Sequence, residues 1–205
     1  MIHGYHAIWG TYGFWLPNDP RGSWSDFVHS WELFQLGIAK KKLTRDVDPE
    51  YLRFWNFITQ YSLKYPAVSL TGKQALEAGR GIGEFVTRNH LAIHALSILP
   101  EHIHLVLGRL RYEAEIACKL LKGAATRQID QAGLHPFAKF RSPTKKLPSM
   151  WASKQWIQYL DSEEAMLNAI RYVEENPVKE GKKKQKWSFI TPFEGISHNG
   201  WFKYN

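Results

Sequence analysis

The 205-residue sequence predicts an α+β domain in which an antiparallel sheet carries helices on one face. Three observations indicate this class. Short runs rich in β-branched and aromatic residues are typical of strands, and they alternate with longer runs of helical apolar period. Pro100 and Glu101 join two adjacent strand-like runs so closely that an antiparallel hairpin is expected there.

The first half of the chain supplies a strand, an insertion and a helix. Residues 3–12 (HGYHAIWGTY) favour the first strand, which ends near Gly13. Residues 14–70 are irregular and predict an insertion, with one helix over 49–61 in which Asp48 is the N-cap and Pro49 the first residue. Thr71 is the expected N-cap of a helix over 72–89.

The second half predicts the hairpin, a second helix, a last strand and a last helix. Ile116, Leu120 and Leu121 indicate the buried side of the second helix, with Lys122 facing solvent. Asp161 or Ser162 is the expected N-cap of the last helix. Pro177 is expected to end this helix, because the residue before a proline is pushed out of the α region. The predicted elements are strands 91–99, 102–107 and 154–160, helices 111–132 and 162–176, a basic loop over 135–149, and a basic and aromatic tail over 178–205.

The resulting order is that of a ferredoxin-like β-α-β-β-α-β unit followed by one more helix. We expect residues 1–205 to form a single domain with the insertion 14–70 after its first strand. With helices on one face of the sheet, the other face is expected to be open and rich in aromatic residues. The segment Gly79-Arg80-Gly81-Ile82-Gly83 does not predict a phosphate-binding loop, because no strand precedes it and no Gly-Lys-Ser/Thr follows it.

Composition favours an anionic partner in a reducing compartment. Lys and Arg number 27 against 19 Asp and Glu, a net charge of +8, and 14% of the residues are aromatic. Basic residues with aromatic neighbours are typical of proteins that bind single-stranded nucleic acid. One cysteine, Cys118, excludes an intramolecular disulfide and a Cys-x-x-Cys zinc site. No apolar run of membrane-spanning length and no signal peptide are evident, so we expect a cytoplasmic protein without a membrane partner.

Two histidines mark the strand over 102–107. His102 and His104 are two positions apart and therefore project from the same face of that strand. Two imidazoles do not complete the coordination shell of a metal ion, so a metal site here needs a third ligand from elsewhere in the chain. The last helix offers Asn176, which lies one turn after Tyr172. The side-chain amide oxygen of Asn176 is a suitable ligand for a hard cation. The alternative is that these side chains are ordinary polar residues of a half-buried strand and a helix end.

Taken together, the two motifs resemble those of the HUH single-strand endonucleases, and in particular the REP-associated tyrosine transposases. The histidine motif is Pro100-Glu101-His102-Ile103-His104-Leu105-Val106-Leu107. The tyrosine motif is Tyr172-Val173-Glu174-Glu175-Asn176-Pro177-Val178-Lys179. The resemblance covers the first strand and residues 72–192. It does not cover the insertion 14–70, whose role it leaves open.

The resemblance implies a function for each motif residue. His102, His104 and Asn176 would hold a divalent metal, Mg²⁺ or Mn²⁺, and Tyr172 would be the nucleophile. The implied reaction is cleavage and rejoining of single-stranded or hairpin DNA through a 5′-phosphotyrosine, as in DNA transposition, in the bacterial cytoplasm and nucleoid. Monomer and homodimer both remain open. The candidate DNA-binding residues are basic residues of the loop and tail: Lys139, Arg141, Lys145, Lys146, Lys182, Lys183 and Lys184.

Two other functional classes remain open from the sequence. A noncatalytic module could bind single-stranded nucleic acid on the open sheet face and the basic loops. A metal-dependent phosphodiester hydrolase could instead use a bound water, with Glu101, Glu174 or Glu175 as base. Replacing Tyr172 by Phe distinguishes the three classes, because it abolishes chemistry only in the strand transferase.

Overall fold

The computed structural model describes residues 1–23, 31–40, 46–144 and 146–196. The chain divides into two compact units, one formed by Met1–Gly10 with the chain from Leu70 onward, the other by Thr11–Ser69. The second unit covers most of the predicted insertion. Within the described residues the elements are β1 Gly4–Gly10, α1 Trp31–Phe34, α2 Pro49–Ser62, α3 Gly72–Arg88, β2 Ile93–Ile98, β3 His102–Gly108, α4 Ala114–Gln131, a 3₁₀ turn Ala138–Phe140, β4 Trp156–Leu160 and α5 Glu163–Lys179.

The predicted fold class is confirmed. The four strands form one antiparallel sheet in the order β2-β3-β1-β4, and the helices follow in the predicted sequence. The hairpin closes as expected, because the Leu99 N–H donates to the His102 carbonyl at 2.9 Å. The two central strands, β3 and β1, therefore bring residues about one hundred positions apart in sequence into register.

Three predicted helix starts are also confirmed, because each capping side chain accepts a backbone N–H of the first turn. Thr71 accepts from Gln74, whose own side chain returns to the Thr71 N–H and completes a capping box. Asp48 accepts from Glu50 at the start of α2, and Ser162 accepts from Ala165 at the start of α5. These are local signals, which explains why the sequence alone predicts them.

The glycines of α3 allow close packing rather than phosphate binding. A Cβ on Gly79 or Gly83 would lie 2.1 and 2.3 Å from the rings of Trp187 and Phe189, respectively. A Cβ on Gly81 would lie 2.6 Å from the Ala124 carbonyl of α4. One side of α3 therefore receives two aromatic rings of the C-terminal segment, and another receives the backbone of α4.

The segment after α5 covers the outer edge of β2, which would otherwise present unpaired backbone groups. The Gln185 amide pairs with both backbone groups of Ile98, at 2.8 and 2.7 Å. The Thr191 N–H donates to the Ile93 carbonyl at 2.8 Å. Within the described part of the chain, no helix is long and apolar enough to cross a membrane.

The orientation predicted for α4 is wrong in part. Ile116 and Leu120 are largely exposed, whereas Lys122 is buried. The Lys122 ammonium donates to the carbonyls of Ala152 and Lys154 and to the Gln155 side chain, at 3.0 to 3.3 Å. The exception arises because a buried ammonium is tolerated when each donor finds an acceptor, a condition that periodicity does not reveal.

Candidate functional site

The site lies on the face of the sheet opposite α3 and α4. Along β3, Ile103 and Leu105 point into the main core and are fully buried, while His102 and His104 point to the other face. The two imidazoles have ring centroids 4.9 Å apart. The strand period thus places one side of β3 in the core and both histidines on the other side.

Helix α5 covers the β2–β3 half of this face. Met166, Ala169 and Val173 of the helix pack with Ala95 of β2 and Val106 of β3 in one buried cluster. The expectation of an open sheet surface around the histidines is therefore wrong for this half, where His104 is only 5% exposed. On the β1–β4 half, Ile8, Trp156 and Gln158 remain partly or largely exposed.

Pro177 does not end α5, contrary to the sequence prediction. The helix runs on to Lys179, and Gly181 ends it instead. Gly181 has φ +69° and donates to the Val178 carbonyl at 2.9 Å, while the Lys182 N–H donates to the Pro177 carbonyl at 2.8 Å. This is a Schellman motif, in which glycine supplies the left-handed conformation. A proline in the last turn removes only one helical hydrogen bond, so the helix tolerates it there.

Tyr172 stands over the histidines. Its ring centroid lies 5.6 Å from that of His104 and 5.7 Å from that of His6 on β1. The side chain is 44% exposed, and the Lys179 ammonium lies 4.9 Å from its ring centroid. The phenol is thus next to the imidazoles while remaining accessible to solvent.

Asn176 and Glu180 follow Tyr172 at successive turns on the same side of α5. Asn176 is 8% exposed, and its buried Nδ2 has no hydrogen-bond partner among the described residues. Glu180, the residue that follows the last turn, places Oε1 3.5 Å from Nε2 of His102. The extra turn beyond Pro177 is what carries Glu180 to the histidine pair.

His6 is a site residue that the sequence interpretation missed. It lies on the same sheet face as His104, since the register pairs His6 with Val106 and Ile8 with His104. Its Nε2 is 3.2 Å from Nδ1 of His104, and the two rings are stacked with centroids 5.5 Å apart. The available signal was a second histidine on a strand predicted to pair with β3, which becomes specific only once the register is known.

Burial keeps the three imidazoles neutral at physiological pH. It lowers the pKa of His6 to about 4. Burial, reinforced by the neighbouring His102 and His6, lowers the pKa of His104 to about 2. For His102 burial also lowers the pKa, while the Glu180 carboxylate opposes the shift. Neutral imidazole is the form that binds metal ions.

The residues fit a divalent metal through an imidazole and amide donor set. In the described part of the chain, no three His, Cys, Asp or Glu side chains are arranged to hold a metal ion. A site built on His102 and His104 would therefore take a third donor of another type, such as the Asn176 amide. Two observations favour that set: Nδ1 of His102 and Nδ2 of Asn176 are both buried without a partner among described residues. A half-turn of the Asn176 amide exchanges its nitrogen for its oxygen.

The candidate DNA-binding residues fall into two groups. Lys182 pairs with Glu180 at 3.3 Å and so adjoins the site, and Lys183 and Lys184 follow it, exposed. Arg141, which pairs with Asp130, and Lys139 and Lys146 lie beyond the end of α4, the helix that packs on the opposite face of the sheet. Lys145 lies outside the described residues.

No protein-family model and no curated protein matches the chain. Among solved structures, similar chains include a REP-associated tyrosine transposase bound to a REP hairpin, at 15% identity and a TM-score of 0.42 over 89% of this chain and 71% of that one. A candidate transposase from Deinococcus radiodurans R1 is 18% identical, with a TM-score of 0.39 over 85% of this chain and 91% of that one. The first bears the name of the family that the two motifs resemble.

Proposed function

We propose that the protein cleaves and rejoins single-stranded DNA in a metal-dependent reaction, with Tyr172 as the nucleophile. The observation that carries this proposal is the meeting of a half-exposed tyrosine with the histidine pair. Tyr172 lies on the last helix and His104 on β3, yet their ring centroids are 5.6 Å apart. A tyrosine that served only the core would be buried with the cluster around Val173.

The tyrosine reaction needs no external energy source. Tyr172 Oη attacks the phosphorus of a DNA phosphodiester, forming a new O–P bond as the bond from phosphorus to the 3′-oxygen breaks. The tyrosine proton passes to water or to Glu175, and the leaving 3′-oxygen takes up a proton. The product is a 5′-phosphotyrosine, which a DNA 3′-hydroxyl attacks in the reverse direction to rejoin a strand.

His102, His104 and Asn176 would hold the divalent ion, Mg²⁺ or Mn²⁺. When bound, the ion would act as a Lewis acid on the non-bridging phosphate oxygens. Lys179 lies beside the Tyr172 ring, and its ammonium also pairs with the Glu175 carboxylate at 3.5 Å. Its ammonium adds positive charge where phenolate and phosphate come together.

The open half of the sheet face could bind single-stranded DNA. Trp156 of β4 is 37% exposed, and its ring contacts that of His6 at 5.7 Å between centroids. An exposed indole beside the site offers a stacking surface for a base, and the net charge of +8 favours binding of the phosphate backbone of DNA. The substrate class we propose is therefore single-stranded or hairpin DNA, in a transposase-type role.

A covalent adduct tests the proposal. Incubation of the protein with single-stranded and hairpin oligonucleotides, with Mn²⁺, is expected to yield a denaturant-stable protein–DNA species, with the adduct mapped to Tyr172 and a free 3′-hydroxyl on the released strand. Tyr172→Phe is expected to abolish both cleavage and adduct while DNA binding persists. Tyr159→Phe is the matched control, because Tyr159 is 55% exposed but points to the other face of the sheet.

Two results would contradict this assignment. Cleavage that persists in Tyr172→Phe without any adduct would indicate a hydrolase that uses water. Binding of single-stranded DNA with no cleavage of any oligonucleotide, in Mg²⁺ or Mn²⁺, would indicate a noncatalytic binding module.

A further inference from the structure

We propose that His6 and Glu180 are positioning residues that determine which imidazole nitrogens face the metal ion, Nε2 of His104 and Nδ1 of His102. This inference rests on the metal site of the proposed function, but it concerns residues outside the predicted ligand set. In metal sites, the second nitrogen of a ligating histidine usually donates to a fixed acceptor, which sets the tautomer and the ring orientation. Each of the two histidines has such a neighbour here.

The first contact fixes His104. Nδ1 of His104 lies 3.2 Å from Nε2 of His6, and both side chains are about nine-tenths or more buried. Two neutral imidazoles at this distance share one proton between the facing nitrogens. If His104 donates from Nδ1, the lone pair on its Nε2 is free for a metal ion, and His6 is the acceptor.

The second contact sets the tautomer of His102 through its Nε2, whereas the first contact acts on Nδ1 of His104. Nε2 of His102 lies 3.5 Å from the Glu180 carboxylate, so the carboxylate favours the tautomer with hydrogen on Nε2. The lone pair then lies on Nδ1, which is the buried nitrogen without a hydrogen-bond partner among the described residues. A buried acceptor without a partner is costly, and a metal ion would satisfy it.

Glu180 acts as a neighbour of the ligand rather than as a ligand. His102, His104 and Glu180 do not form a group that could hold an ion, since the described residues contain no such arrangement of three His, Cys, Asp or Glu. Lys182 also pairs with the Glu180 carboxylate at 3.3 Å, which holds it on the outer side of His102. Gly181, in the left-handed conformation, directs the chain so that both charges meet there.

The tautomers are the direct test, and they are observed in the wild-type protein. Long-range ¹H–¹⁵N NMR of the metal-free protein in chelator is expected to show hydrogen on Nδ1 of His104 and on Nε2 of His102. The assignments come from the loss of signals in His102→Ala and His104→Ala. The opposite tautomer at either residue overturns the proposal for that residue.

Metal affinity is the second readout, with Mn²⁺ as the probe and electron paramagnetic resonance to measure free ion. His6→Phe, which keeps an aromatic ring but removes the acceptor, and Glu180→Ala should each weaken Mn²⁺ binding by roughly 10-fold or more, within the range known for such neighbours. Glu180→Gln, which retains an acceptor oxygen, should lose less. Glu164→Ala, which removes an exposed carboxylate from the first turn of the same helix, is the matched control and should leave the affinity unchanged.

These results separate the inference from the proposed function, because no DNA is present. Unchanged Mn²⁺ affinity in folded His6→Phe and Glu180→Ala would overturn the positioning role even if the wild-type protein cleaves DNA. A wild-type protein that binds no Mn²⁺ at millimolar concentration would also overturn it. Mn²⁺ binding that depends on His6 and Glu180, without any tyrosine adduct, would support the positioning role and count against the strand-transfer reaction.

Discussion

Two glycine-to-alanine substitutions of identical chemistry should have opposite effects on stability. Gly81 lies inside α3 and Gly123 inside α4. A Cβ at Gly81 would lie 2.6 Å from the Ala124 carbonyl oxygen and 2.7 Å from Cβ of Gln128. A Cβ at Gly123 would have one neighbour within 4 Å, the flexible end of Arg127 at 3.4 Å.

The magnitudes follow from these distances. Alanine in a helix interior is favoured over glycine by about 0.5–1 kcal/mol, and both variants gain this amount. At Gly123 nothing opposes the gain. At Gly81 the new methyl meets the backbone of the adjacent helix at well under the ordinary contact distance of about 3.5 Å, so α3 and α4 must separate, at a cost of about 1–3 kcal/mol. The two variants should therefore differ in free energy of unfolding by about 1–3 kcal/mol.

Urea unfolding followed by circular dichroism measures this difference. Gly123→Ala should be more stable than wild type by about 0.5–1 kcal/mol, and Gly81→Ala should be less stable than wild type. In thermal unfolding, the midpoints of the two variants should differ by about 2–4 °C for each kcal/mol between them, as expected for a chain of this size. Equal stabilisation of both variants would refute the close packing of α3 on α4.

Two further predictions concern a buried charge and a helix end. Burial lowers the pKa of Lys122 to about 8, so above that pH the unfolded chain binds more protons than the folded protein does. Between pH 7.5 and 9.5 the free energy of unfolding should therefore rise by about 2 kcal/mol more in wild type than in Lys122→Met. Parallel pH profiles of the two proteins in urea unfolding would contradict this. Gly181 and Gly133 both follow a helix at positive φ, so replacing either by Ala should lower the free energy of unfolding in urea by about 1–2 kcal/mol. Only Gly181→Ala moves Glu180, so only this variant should bind Mn²⁺ more weakly in a titration. Equal Mn²⁺ affinities would contradict the second expectation.

Much of the fold is written in local signals, which is why the sequence predicts it. Thr71, Asp48 and Ser162 each start a helix through a hydrogen bond to its first turn, and a short turn over 99–101 joins β2 to β3. The end of α5 was mispredicted because two signals compete there. Pro177 removes one helical hydrogen bond, whereas the turn at Gly181 lets the N–H groups of Gly181 and Lys182 donate to the carbonyls of Val178 and Pro177, so the helix continues to the glycine.

The site was predictable only where its residues carry a pattern of their own. His102 and His104 stand out by strand period, and Tyr172 with Asn176 by helical period. His6 has no such pattern, because its relation to His104 depends on the pairing of β1 with β3 across about one hundred residues. Glu180 was missed for a different reason, since a helix expected to end at Asn176 would not bring the next carboxylate back to the same side.

The phase of α5 explains how one helix both closes the core and exposes Tyr172, the proposed nucleophile. Val173 is fully buried against the β2–β3 half of the sheet, and Tyr172, its neighbour in sequence, is turned about 100° around the helix axis. That rotation places Tyr172 at the boundary between the covered half and the open β1–β4 half, where a strand of DNA would have access. Asn176, one turn on and nearer the sheet, is buried instead. A helix rotated by one residue toward the core would carry the phenol into the buried place of Val173, so the apolar packing of Val173 and Met166 is itself what keeps Tyr172 exposed.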